Sequence, residues 1–63
     1  QMSNRLELAD LNRLHARMLL DRGGTGDDAR AAEMLETALA AYRDFGIPAY
    51  ATEAERLRGQ ALA

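Results

Sequence analysis

Cysteine, lysine and valine are absent from the chain, and isoleucine, proline, histidine and serine each occur once. Without cysteine there are no disulfide staples and no thiolate metal sites. The missing lysine removes the cation with which a phosphate-binding loop reaches the outer phosphates of a nucleotide. With no valine and a single isoleucine, alternating β-branched runs cannot form, and strands are not expected. A basic excess is lacking too: eight arginines face ten acids, for a net charge of −2. That balance excludes the usual footprint of a nucleic-acid or anionic-membrane surface. No apolar run approaches the roughly 18 residues that span a bilayer. Nothing resembles a signal peptide, so a cytoplasmic location is expected.

What remains is a short chain of 63 residues with alanine, leucine and arginine in helical rhythm. In the first segment Leu8, Leu11, His15, Met18 and Leu19 recur at steps of three and four, and Leu14 widens the stripe. Asn4 followed by Glu7 fits a capping box, which predicts a helix over about residues 4–22. In the second, Ala31, Leu35, Ala38, Tyr42 and Phe45 keep the same step, with Asp27 as the expected N-cap of a helix over 28–45. Its end is sharply marked. Gly46 suits the left-handed turn that closes a helix, Ile47 can fold back onto Tyr42, and Pro48 suits the first turn of a third helix over about 48–60. That helix shows Ala51, Ala54, Leu57 and Ala61 on one face, with Tyr50 beside them. The expected fold is therefore all-α, an antiparallel hairpin plus a third helix in a single module. The chain opens Gln1-Met2-Ser3 and not on an initiator methionine, as expected of a piece of a larger protein.

The glycine-rich run from Asp21 to Asp28 is the one place that resembles a ligand loop. A phosphate cradle fails there, because Asp27 and Asp28 stand where the anion would sit and no strand precedes the loop. Against the helix-loop-helix calcium pattern, Asp21, Thr25, Gly26 and Asp27 fall at positions one, five, six and seven. Gly23 and Ala32, however, occupy two liganding positions, which leaves too few oxygens for a cation that takes six to eight. The expectation is a connection in which Gly23 ends one helix and Asp27 begins the next. His15, alone on an apolar stripe, cannot assemble a zinc site, and a core or groove contact is expected. Glu33 and Glu36 read as a solvated face, and Ser3 has no base nearby in sequence. No catalytic residue, metal ligand or cofactor site is expected, and the chain is not read as an enzyme.

Alanine carries the positive signal. Ala16 on the first helix and Ala31 and Ala38 on the second lack the bulk that holds helices apart, so the pair can approach closely. The expected packing residues are Leu11, Ala16 and Leu19 on the first helix, Ala31, Leu35, Ala38, Tyr42 and Phe45 on the second, and Ala54 and Leu57 on the third.

The run "ADLNRLHARMLLDRGGTGDDARAAEMLETALAAYRDFGIPAYATEAERL", covered by about residues 9 to 58, resembles tetratricopeptide-type (TPR) helical repeats. The resemblance is to those in C-terminal regions of bacterial LuxR-type regulators, STAND ATPases and multidomain nucleotide cyclases. Ala16 matches the small position of the first helix; Ala31, Leu35 and Ala38 match the triplet of the second; Gly46 and Pro48 match the break. The resemblance implies a non-enzymatic protein–protein interaction or oligomerisation module, with a protein partner or flanking repeats. Such repeats bury their faces by stacking, so an isolated one is expected to self-associate, a dimer first of all. The alternative it implies is a regulatory helical segment of a signalling protein, a nucleotide cyclase or transcription regulator, with no independent activity.

Overall fold

A computed structural model describes residues 2–63, with side chains from Asn4 onward. Three helices follow one another, α1 (Met2–Arg22), α2 (Asp27–Phe45) and α3 (Pro48–Leu62), and no strand occurs among the described residues. The fold is all-α, with boundaries within two residues of those read from sequence. Two caps differ from expectation. α1 begins at Met2, so Asn4 lies inside the helix and cannot be its N-cap. Nothing between Met2 and Asn4 breaks a helix, and the turn simply continues past the capping candidate. Gly26, with φ +82°, occupies the N-cap position of α2 and offers no side-chain cap, while Asp27 is the first helical residue.

The stops are where sequence placed them. Gly23 adopts φ +65°, and its N–H donates to the Leu19 carbonyl at 3.0 Å, closing α1 with a single left-handed turn. At Gly46, φ +68°, two bonds form: the Gly46 N–H reaches the Arg43 carbonyl at 3.2 Å, and the Ile47 N–H reaches that of Tyr42 at 2.9 Å. That pair is a Schellman end. Pro48 starts α3 at once, where its missing N–H leaves no helical bond unmade.

α2 is the central helix and packs against both neighbours. Arg22 meets Asp27 at one end of the α1–α2 pair and Arg5 meets Asp44 at the other, so the pair is antiparallel. The core follows from that arrangement. Ala16 and Leu19 of α1, Ala31, Leu35, Ala38 and Tyr42 of α2, and Ala54 and Leu57 of α3 are all buried, and Phe45 is half-buried against them. Leu39 and Ala41, on the flank of α2, are buried as well.

α1 departs from expectation in one respect. Leu11, expected to pack against α2, is 62% exposed, and Leu8 (59%), Leu14 (51%) and Met18 (61%) are exposed with it. His15, on the same stripe, is also exposed and is not a core residue. The face turned inward instead carries Ala9, Ala16 and Leu19, with Leu6 and Leu20 half-buried beside them. Helix geometry makes the choice unavoidable: Leu11 and Ala16, five residues apart, point about 140° away from each other. The side turned inward is the alanine side, which lets the backbones approach closely, and the bulkier leucines are left outside.

The packing predicts a specific sensitivity. Ala38→Phe should overpack the core and destabilise the fold by about 1–3 kcal/mol, whereas Ala40→Phe, on the exposed side of the same helix, should stay within about 0.5 kcal/mol. Thermal unfolding followed by circular dichroism measures both. Equal melting of the two variants would contradict the assigned contact face.

Candidate functional site

Two features could support function: the apolar face of α1, and the polar network on its opposite side that fixes which way α1 turns. At the centre of the network is Tyr42. Its ring is fully buried, while its hydroxyl donates to Asp10 Oδ1 at 2.5 Å and accepts from Arg13 Nε at 3.0 Å. Arg13 continues to Glu53 Oε1 of α3 at 2.8 Å, and its guanidinium lies 4.8 Å from the centre of the Tyr50 ring. The Tyr42 and Tyr50 rings meet at 5.5 Å, tilted by 51°. One arginine thus joins all three helices. Its side chain is only 13% exposed, and that of Glu53 27%, so this pair is shielded more than an ordinary surface ion pair. Among the described residues no buried side-chain polar atom is left without a partner.

Electrostatics follows the geometry. Burial works against the Arg13 charge, but the Tyr42 hydroxyl and the Glu53 and Asp10 carboxylates outweigh it and raise its pKa. Burial, reinforced by the hydrogen bond to Asp10, pushes the Tyr42 phenol above its ordinary value of 10.0 against the opposing pull of Arg13. The network could not be found by apolar spacing, which assigns Asp10, Arg13 and Glu53 to the solvent face. A signal for it did exist. A tyrosine inside an apolar stripe must find a partner for its hydroxyl, and two polar residues three apart on the facing helix supply it.

The glycine-rich loop is a turn. The Asp27 carboxylate, only 7% of the residue being exposed, accepts from Arg22 Nε at 2.9 Å and Nη2 at 3.1 Å, and from the Gly24 N–H at 3.0 Å. It therefore reaches backward into the loop and not forward to the helix it begins. Glycine at position 24 is needed for that approach, since a Cβ there would stand 2.8 Å from Asp27 Oδ2. Arg22 holds the Asp27 carboxyl below its ordinary value of 3.8; partial burial opposes the shift and the Gly24 N–H assists it. Among the described residues no group of three histidine, cysteine or acidic side chains could hold a metal ion. Glu33 and Glu36 are exposed, as a solvated face requires, and the side chain of Ser3 lies outside the described residues.

On the other side of α1, Leu8, Leu11, Leu14 and Met18 form a continuous apolar strip. A cleft of about 350 Å³ borders it, lined by His15, Met18, Leu19, Arg22, Asp27 and Arg30. His15 thus stands at a groove edge. The strip and the network are two consequences of one rotation: Arg13 lies two residues, about 200°, round the helix from Leu11, so anchoring one inward turns the other to solvent. No helix among the described residues is long and apolar enough to cross a membrane. Compared with protein families, curated proteins and solved structures, the chain matches none.

The two titrating groups give opposite pH limbs. The Asp27 contribution is fully present above pH 3.8 and fades as pH falls through the lower folded-state value. The Tyr42 contribution is fully present below pH 10.0 and fades as pH rises through the higher folded-state value. Asp27→Asn should therefore flatten the acid limb of a stability–pH curve and leave the alkaline limb in place. Tyr42→Phe should do the reverse, and near neutrality should lower stability by about 1–2 kcal/mol by leaving Asp10 and Arg13 without their shared partner. Urea unfolding across pH measures both, and identical curves for the two variants would refute the assignment.

Proposed function

We infer that the chain is a non-enzymatic, TPR-like helical module whose work is to bind protein through the outward face of α1. The carrying observation is the strip Leu8, Leu11, Leu14 and Met18, each more than half exposed on a helix whose opposite face already packs against α2. Three packed helices occur in many folds, so the reading rests on this face together with the alanine positions and the Gly46–Pro48 break. A contiguous apolar strip on a small chain marks an interaction surface, since scattered single leucines would not line up along one helix. The spacing of Leu8, Leu11, Leu14 and Met18 along one helix suits a helix of a protein partner, laid along it with anchors three and four residues apart. A cytoplasmic location, with a place in bacterial signalling proteins, goes with the same resemblance.

Photo-crosslinking inside cells tests the reading. A benzoylphenylalanine placed at Leu11 should yield covalent protein adducts on irradiation, and the same probe at Glu36, on the exposed side of α2, should yield none. Absence of adducts at Leu11, or equal capture at both positions, would refute it.

A further inference from the structure

We propose that the partner covering this strip is a second copy of the chain, with the two α1 helices packed antiparallel about a two-fold axis that passes through the strip side of α1 at the level of residue 13. The proposal rests on the interaction reading above and names its partner.

Three observations point to self-pairing. The first is spacing. Leu8, Leu11, His15 and Met18 follow one another at intervals of three, four and three, which read the same in either direction. An antiparallel partner therefore sets Leu8 against Met18 of the other copy and Leu11 against His15, with Leu14 close to its own mate beside the axis. The second is charge. On the strip's own face, Glu7 stands at one end and Arg22 at the other. Antiparallel pairing lays each acid toward the opposite copy's arginine, while parallel pairing would place like on like. Arg22 spends Nε and Nη2 on Asp27, which leaves its Nη1 for such a contact. A net charge of −2 per chain adds little general repulsion. The third is area. Four side chains exposed by more than half present roughly 400 Å² of apolar surface per copy, the size of the largest apolar patch on a typical monomer, about 300–600 Å², which is often functional. Two such faces give roughly 800 Å², so the flanking polar residues supply the remaining third of the ~1,200 Å² at which specific interfaces begin.

The chain's lack of cysteine makes the geometry directly testable. Sedimentation equilibrium from micromolar to millimolar concentration should show a monomer–dimer equilibrium, and Leu11→Glu should weaken it by about tenfold or more while keeping the helical circular dichroism signal. Under mild oxidation Leu14→Cys, beside the axis, should form a disulfide-linked dimer. Asn4→Cys should not, because each copy places that residue about 13 Å along the helix from the axis, on opposite sides of it. A helical monomer throughout the concentration range, or a dimer unaffected by Leu11→Glu, would overturn the proposal. Equal cross-linking at positions 4 and 14 would overturn the antiparallel arrangement. Should Leu11→Glu fail to fold, the sedimentation of the unaltered chain and the two cysteine variants decide the question alone. If the chain is monomeric and yet the cellular probe at Leu11 captures another protein, the interaction reading stands and only the second copy is wrong; if it captures nothing, both fall.

Discussion

The structure turns on the hydroxyl of Tyr42. Held between Asp10 and Arg13 of α1, and through Arg13 joined to Glu53 of α3, it is the point at which three helices agree on their relative rotation. Hydrophobic burial alone would not make that choice, because α1 carries leucines on more than one side. An alanine-lined contact is flat and admits more than one setting; a directional hydrogen bond to a buried phenol does not. The apolar strip faces solvent because Arg13 faces inward.

This division of labour explains why the core is built from small residues. Ala16, Ala31, Ala38 and Ala54 are fully buried and let the helices approach closely. Their burial contributes less per residue than leucine would. The larger side chains in the centre, Tyr42, Leu35 and Leu39, all come from α2. α2 therefore supplies most of the core's bulk, and α1 turns Ala9, Ala16 and Leu19 toward it and Leu8, Leu11, Leu14 and Met18 away from it. The exposed ion pairs Arg5–Asp44 and Arg43–Glu55 lie at the surface and add little beyond this.

The legible part of the fold was its punctuation. Gly23, Gly46 and Pro48 mark helix ends because their backbones permit or forbid particular conformations, a property of the residue itself. The apolar faces of α2 and α3 were legible too, since on those helices bulk and alanine lie on the same side. On α1 they do not. Apolar spacing marks Leu11 and Ala16 alike as packing residues, although a helix cannot present both to one neighbour. The network was hidden for a related reason: arginine and aspartate are ordinarily surface residues, and only the demand of a buried phenol calls them inward. The strip itself was visible in sequence as a pattern, but its direction depended on that unseen bond.

Gly24 has an influence beyond its own turn. By admitting the Asp27 carboxylate, it lets the loop hold Arg22 at the end of α1, beside Met18. The six residues from Arg22 to Asp27 thus mark the end of the exposed apolar strip, fixing where greasy surface ends and charge begins. Lengthening this loop would leave every leucine in place and still move the charged boundary of the strip, so a hairpin connection that bears none of those apolar side chains sets how far their surface extends.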